Sequence, residues 1–193
     1  FLTPYYATRA GADLKEVAKA IEVIAEGSKK IAEGQGYDML FEKTWDVDEK
    51  DYLKMIYLKT GALIEASSKL GGIASDLDDE VIELLGQYGR FTGLAFQISD
   101  DILGIFGDPQ KTGKPVYNDL RRGKKTVLVL FAASRKKEWK EFFIKLFSGN
   151  PTEEDLKEAA DIIKESGSLN YAEELAKSYY YNALEKLESI DKL

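Results

Sequence analysis

Two adjacent carboxylates and several lysines fall within one stretch of the chain, Gly93–Thr126. Asp100 and Asp101 lie in a segment with helical periodicity, and Lys114 and Lys124 follow within and after a glycine-containing loop. Carboxylate oxygens suit Mg²⁺, which commonly bridges one or two protein carboxylates to substrate phosphates. Lysine ammonium groups act as point charges for the remaining phosphate oxygens. The stretch therefore predicts a site that holds a phosphate-bearing ligand through a divalent metal.

The residue types that the sequence lacks narrow this chemistry further. The 193 residues include no cysteine and no histidine, which excludes disulfides, thiolate nucleophiles, Ser-His-Asp catalysis and zinc held by His or Cys. The formal net charge of −7 disfavours nucleic-acid binding, for which a basic balance is usual. We expect no transmembrane segment, no signal peptide and a cytoplasmic location. Because the chain does not begin with Met, we also expect that its true start lies upstream.

Helical periodicity runs through the whole chain, without a strand pattern, a repeat or a long linker. The sequence therefore predicts an all-α fold and a single domain over residues 1–193, incomplete at its N-terminus. Helices are predicted from Asp13, from 46 to 70, from 76 to 105, from 124 to 133, from 134 to 147, from 152 to 167 and from 169, with a loop over 107–123.

Polar residues stand at unusual positions in the first two of these helices. Gln35 falls in the middle of an apolar arc, with Asp38 at its edge. Either the helix ends at Gly34–Gly36 and Gln35 is a satisfied polar end, or Gln35 lines a site. In the next helix Thr60 lies within the apolar stripe and Lys59 on its shoulder. A snorkelling lysine and a back-bonded threonine are the structural alternative to a ligand-binding role.

The third helix carries a polar strip opposite its main apolar face. At about 100° per residue, Gln97, Asp100, Asp101, Gly93 and Gly104 share this side. The strip could be an ordinary solvent face. However, large apolar residues flank it, and glycine costs about 1 kcal/mol in a helix interior. We therefore interpret the strip as one wall of a ligand cavity between helices.

The same residues form four motif blocks in a fixed order, and together they resemble the trans-isoprenyl (polyprenyl) diphosphate synthases, most of all the archaeal geranylgeranyl and farnesyl diphosphate synthases. The blocks are Gly34-Gln35 with Asp38, similar to GQxxD; Lys59-Thr60, similar to the KT motif; Phe96-Gln97 with Asp100-Asp101, similar to the second aspartate-rich motif; and Gly113-Lys114 with Asp119 and Gly123-Lys124-Lys125-Thr126, similar to the phosphate-binding loop.

The resemblance implies an isoprenoid-synthase-like helical bundle with a central cavity, of which this chain holds the later helices. It also implies a Mg²⁺-dependent prenyltransferase that condenses an allylic prenyl diphosphate with isopentenyl diphosphate, giving a short-chain product such as geranylgeranyl diphosphate. The allylic diphosphate ionises, the double bond of isopentenyl diphosphate attacks the carbocation, and a proton is lost to the departed diphosphate. A homodimer is a further family expectation.

Roles for individual residues follow from the resemblance alone. Asp100 is expected to ligate Mg²⁺, with Asp101 supporting it directly or through water. Lys59 and Lys114 are expected to hold the allylic diphosphate, and Gln97 and Thr60 to place oxygen dipoles near the developing cation. Lys124 and Asp119 are expected to support the phosphates and their waters from behind the groups that contact them, and Gln35 and Asp38 to line the same cavity.

The sequence departs from the family pattern in two places. Gly104 stands where the second motif usually has its third aspartate. In addition, nothing in residues 1–34 resembles the first aspartate-rich motif, so the resemblance covers roughly the later two-thirds of such an enzyme. We therefore expect the chain alone to be inactive. The alternatives are a non-catalytic partner subunit of a heteromeric synthase and a terpene or squalene-type synthase, while product length stays open.

Overall fold

A run of 28 residues with an apolar arc forms the first long helix, Leu14–Phe41. A computed structural model of the chain describes Tyr5, Thr8, Arg9, residues 13–113 and residues 115–192. Within these residues every regular element is a helix, which confirms the predicted all-α class. The elements are α1 (Leu14–Phe41), α2 (Glu49–Ile56), a π-helical turn (Tyr57–Gly61), α3 (Ala62–Ala74), α4 (Asp79–Phe106), α5 (Pro109–Thr112), α6 (Asn118–Arg121), α7 (Val127–Arg135), α8 (Lys137–Ser148), α9 (Glu153–Glu165) and α10 (Ser168–Ile190).

Glycines did not end helices where the sequence suggested. α1 continues through Gly34 and Gly36 to Phe41, so the interpretation that the helix ends there is wrong. α3 likewise continues through Gly71 and Gly72 to Ala74. Gly34 and Gly72 are buried and give neighbouring segments room, because a Cβ on Gly72 would lie 3.0 Å from the Ile82 side chain. Packing therefore outweighs the intrinsic cost of glycine in these helices.

The chain divides into two compact units. The first unit comprises Phe1–Gly36, Met55–Leu94 and Ser178–Leu193, and the second comprises Tyr37–Lys54 and Ala95–Lys177. The first unit buries apolar residues of the π-helical turn and α3, such as Leu58, Ala66 and Ile73. The second unit has a larger core. Its fully buried members include Tyr52, Ile98, Ile105, Leu120, Val127, Leu128, Phe143, Leu156 and Ile163.

Among the residues that the structure describes, none of the helices combines the length and the apolar character that crossing a bilayer requires. The predicted loop over 107–123 holds two single-turn helices, α5 and α6. Asp108 caps α5 by accepting a hydrogen bond from the backbone N–H of Gln110, and Gly113 ends it with a φ of 67°. Asp119 lies in α6 and Lys124 follows it, and both belong to the second unit.

Candidate active site

Asp101 of α4 is completely buried and accepts hydrogen bonds from three side chains of the second unit. The Tyr52 hydroxyl donates to Oδ2 at 2.6 Å. The Gln97 amide Nε2 and the Lys124 ammonium donate to Oδ1 at 3.0 Å and 2.6 Å. Because all three partners donate, they suit the ionised carboxylate. Asp101 is therefore a buried anion held by a phenol, an amide and an ammonium group.

The electrostatics of this cluster follow from burial and from close charges. Burial raises the pKa of Asp101, while the charge of Lys124 and the hydrogen bonds from Lys124 and Tyr52 act in the opposite direction. Burial also opposes the charged form of Lys124, but Asp101 and Asp119 outweigh it and raise the pKa of Lys124. The pKa of Tyr52 lies well above its usual value because of burial and the Asp101 charge, so Tyr52 stays a donor.

Asp119 of α6 joins the cluster through Lys124. The Lys124 Nζ lies 3.5 Å from Asp119 Oδ2, and the Asn118 amide donates to Asp119 Oδ1 at 3.3 Å. Asp119 packs against Gly104, where a Cβ would lie only 2.4 Å from Asp119 Oδ2. Gly104 thus makes room for the Asp119 carboxylate. A carboxylate from α6 therefore lies directly beside position 104, where this chain has glycine instead of aspartate.

Asp100 has a different environment from its neighbour. Its side chain is half-buried, on a face of α4 where Phe96 and Leu103 are 60% and 52% exposed. Its negative charge also contributes to the raised pKa of Lys124. Asp100 is therefore partly exposed to solvent, from which a ligand could approach, whereas Asp101 is completely buried.

The carboxylates of this cluster suit the Mg²⁺ that the resemblance implies. Among the described residues no group of three or more Asp and Glu side chains could hold a metal ion by itself. Mg²⁺ sites in phosphate-binding proteins need only one or two carboxylates, with waters and phosphate oxygens completing the octahedron. Asp100, with Asp101 and Asp119 held close to Lys124, fits a site of that kind.

Lys59 and Thr60 lie on the π-helical turn of the first unit. The backbone N–H of Ala62 donates to the carbonyl of Tyr57, a spacing of five residues that defines this turn. Such turns inside α-helices are frequent at functional sites. Both side chains are half-buried. The sequence predicted a continuous α-helix here, and the inserted π turn shifts the phase of every residue after it.

A close backbone contact and a polar network hold this turn within the first unit. A Cβ on Gly34 would lie 2.4 Å from the backbone nitrogen of Lys59, so α1 touches the turn directly. The Tyr57 hydroxyl accepts a hydrogen bond from Lys30 Nζ at 2.9 Å and donates one to Glu65 Oε2 at 2.7 Å. The turn is therefore fixed by both its backbone and its aromatic side chain.

The other predicted site residues are placed as follows. Gln35 is exposed on α1 and belongs to the first unit, so it does not occupy the buried arc in which the helical period placed it. Asp38 is half-buried and belongs to the second unit. Lys114 lies outside the described residues. The structure thus brings together Gln97, Asp101, Asp119 and Lys124, while Lys59 and Thr60 are described within the other unit.

Sequence reasoning missed Tyr52, which contacts Asp101 directly. One signal was present, because Tyr52 and Ile56 stand at i and i+4 and so share a face of α2. A tyrosine on a buried face needs a partner for its hydroxyl. The identity of that partner depends on how α2 packs against α4, which no local pattern shows.

The chain was compared with known proteins. A family model described as polyprenyl synthetase matches residues 4–163. The geranylfarnesyl diphosphate synthase of Aeropyrum pernix is 49% identical over 180 residues, covering 93% of this chain and 56% of that protein. The geranylgeranyl diphosphate synthase of Saccharolobus solfataricus is 42% identical over 182 residues, covering 93% of this chain and 54% of that protein.

Solved structures give the same picture. The geranylgeranyl pyrophosphate synthetase of Pyrococcus horikoshii superposes with a TM-score of 0.86 at 40% identity, covering 94% of this chain and 56% of that one. A polyprenyl synthetase of Streptomyces coelicolor superposes with a TM-score of 0.89 at 30% identity, covering 97% of this chain and 57% of that one. The chain therefore spans about half the length of the relatives it matches. This share is smaller than the two-thirds of such an enzyme that the motifs predicted the chain to cover.

Proposed function

Because the chain belongs to the polyprenyl synthetase family of trans-isoprenyl diphosphate synthases, we propose that it supplies the second metal- and diphosphate-binding half of a prenyltransferase. The reaction joins an allylic prenyl diphosphate to isopentenyl diphosphate and releases diphosphate. The observation that supports this proposal is the cluster of Tyr52, Gln97, Lys124 and Asp119 around the buried Asp101. An acidic and basic cluster of this kind suits a metal-bound diphosphate.

Asp100 is the residue that would hold Mg²⁺, with Asp101 supporting the site from behind. When bound, Mg²⁺ neutralises the diphosphate and makes it a better leaving group. Lys124 spans Asp101 and Asp119, at 2.6 Å and 3.5 Å, and so presents a fixed ammonium group rather than a mobile one. A preorganised charge stabilises the negative charge that develops on the leaving diphosphate without a cost for reorganisation.

The amide of Gln97 has a role set by its orientation. Its Nε2 donates to Asp101 Oδ1 at 3.0 Å. The nitrogen end of the amide is therefore directed at Asp101, and the carbonyl oxygen is the end that could face an allylic cation. A carbonyl dipole stabilises a nearby allylic cation by the same electrostatic logic that stabilises other transition-state charges. Thr60 would add a second oxygen dipole. Lys59 and Lys114 would hold the allylic diphosphate, and Gln35 and Asp38 would line the cavity.

The product in this proposal is a short-chain prenyl diphosphate. Two of the relatives are named for geranylgeranyl and geranylfarnesyl products, and we favour geranylgeranyl diphosphate. The proposal includes one domain, a homodimer and a cytoplasmic location. The retention of Lys59, Asp100 and Asp101 favours an enzyme over a non-catalytic partner subunit, which would not need them.

The test is an activity assay on the full-length gene product. The protein is incubated with geranyl diphosphate, labelled isopentenyl diphosphate and Mg²⁺, and the products are separated by chromatography. We expect Asp100→Ala to lower turnover by several orders of magnitude, because it removes the accessible carboxylate. Asp161→Ala, which removes an exposed carboxylate of α9, is the control and should leave turnover unchanged. Near-normal turnover of Asp100→Ala would refute the role assigned to this residue.

A further inference from the structure

The bond between Tyr52 and Asp101 belongs to no motif described above. Tyr52 lies on α2, is fully buried, and places its hydroxyl 2.6 Å from Asp101 Oδ2. Gln97 and Lys124 both bond to the other oxygen, Oδ1. Among the residues that the structure describes, Tyr52 is the only donor to Oδ2. Rotation of the carboxylate about its Cβ–Cγ bond is therefore set by Tyr52 on one side and by Lys124 and Gln97 on the other.

The position of Lys124 depends on that carboxylate. The Lys124 Nζ makes its short contact, 2.6 Å, with Asp101 Oδ1 and a longer one, 3.5 Å, with Asp119 Oδ2. If the carboxylate turned, Oδ1 would move and the ammonium group would move with it. Partners of metal-site residues that make no metal contact themselves commonly act in this way, by fixing the orientation of the residues that do.

We propose that Tyr52 is a positioning residue for the metal–diphosphate site, acting through the orientation of Asp101 and hence of Lys124. The inference rests on the proposed function, since it assumes that this cluster binds a metal diphosphate. Tyr52 itself touches neither metal nor substrate. Its contribution is to hold one oxygen of a buried carboxylate so that the other oxygen faces the lysine.

The test is Tyr52→Phe in the full-length gene product, which keeps the buried ring and removes only the hydroxyl. Tyr171→Phe is the matched control. The Tyr171 hydroxyl makes a bond of nearly the same length, 2.7 Å, to Glu49, a carboxylate that is not among the candidate site residues. Both variants lose a bond between a tyrosine and a carboxylate in the same unit.

The readout is binding of Mn²⁺ in the presence of inorganic diphosphate, followed by electron paramagnetic resonance, together with the Mg²⁺ dependence of turnover. We expect Tyr52→Phe to weaken Mn²⁺ binding about 10-fold or more, in the range measured for lost outer partners of metal ligands. Tyr171→Phe should bind Mn²⁺ as the wild type does. A double variant carrying Asp101→Asn should bind no more weakly than Asp101→Asn alone, because Tyr52 acts through Asp101.

Three results would contradict the inference. Unchanged Mn²⁺ binding in Tyr52→Phe would overturn it, and so would an equal loss in Tyr171→Phe. Additive losses in the double variant would show that Tyr52 acts by a route other than Asp101. If the wild type binds Mn²⁺ and diphosphate and Asp100→Ala does not, the proposed function stands whatever Tyr52→Phe does. If the wild type binds neither, the proposed function fails and the inference fails with it.

Discussion

Asp100 and Asp101 are identical neighbours that the turn of one helix places in different surroundings. Successive residues of an α-helix point about 100° apart, so a helix packed on one side buries one of the pair more deeply. Asp101 is buried and accepts three hydrogen bonds, while Asp100 is half-buried beside exposed apolar residues. The same side chain therefore supports structure at one position and can meet a ligand at the next.

This difference predicts that the two aspartates contribute unequally to stability. Asp101→Asn removes the nearer of the two carboxylates beside Lys124, at 2.6 Å, and leaves only Asp119 at 3.5 Å. Breaking a buried ion pair costs about 3 kcal/mol. We expect Asp100→Asn to lower the free energy of unfolding by less than Asp101→Asn does, because Asp100 is only half-buried whereas Asp101 is completely buried. Urea unfolding of the two variants measures both values. Equal destabilisation by the two substitutions would contradict the distinction.

Gly104 gives a second prediction for a single residue. A Cβ at this position would lie 2.4 Å from Asp119 Oδ2, so Gly104→Ala must displace the carboxylate or the helix. Overpacking of this kind costs about 1–3 kcal/mol, and we expect that loss in the free energy of unfolding. Gly71→Ala is the control, since nothing lies within 4 Å of its Cβ, and it should be neutral or slightly stabilising. A stabilising Gly104→Ala would show that Asp119 packs elsewhere.

At the level of the element, the π-helical turn explains how Lys59 and Thr60 are presented. The turn lies where two glycines allow backbone to approach backbone in the first unit. A Cβ on Gly34 would collide with Lys59, and one on Gly93 would lie 2.5 Å from the Cα of Gly61. The helical strip predicts Gly93 on a cavity wall, and the structure corrects this, because Gly61 fills the space beside Gly93. Glycine there permits close packing of helices.

We predict that Gly93→Ala loosens the π-helical turn. The new methyl group must push against the backbone of Gly61, which cannot move aside as a flexible side chain could. The expected loss is about 1–3 kcal/mol of stability, with faster hydrogen exchange at the amide of Ala62, the donor of the π-helical bond. Gly36→Ala, with nothing within 4 Å, is the control. Unchanged exchange at Ala62 in Gly93→Ala would contradict the prediction.

The periodicity of apolar residues was sufficient to predict the long helices but not the single-turn helices α5 and α6, because burial of one face is what stabilises most long helices. It could not predict the π-helical turn, since that turn depends on contacts from Gly34 and Gly93, which lie far from it in sequence. For the same reason it missed Tyr52, whose partner Asp101 lies 49 residues further along the chain. Local patterns identify which residues can bind a metal or a phosphate, and tertiary packing decides their orientation.

At the level of the whole molecule, the four sequence motifs indicate the family without any tertiary contact, and the match to the polyprenyl synthetase model confirms that membership. The matched region covers only 56% and 54% of the length of the two curated relatives. The site residues described above come from Tyr52 to Lys124 and include one aspartate pair. Nothing in residues 1–34 resembles the first aspartate-rich motif that the family resemblance implies.

The 193-residue polypeptide by itself is therefore expected to form no prenyl product. Mg²⁺ held by Asp100 and its supporting residues would occupy only one side of the substrate diphosphate, so part of the stabilisation of the leaving group would be lost. Each 1.4 kcal/mol of stabilisation that is lost from the transition state lowers the rate by a factor of about 10. The measurement is product formation from geranyl and labelled isopentenyl diphosphates at saturating Mg²⁺, with the full-length gene product as the positive control. Robust turnover by the 193-residue polypeptide would show that one aspartate pair is enough for catalysis.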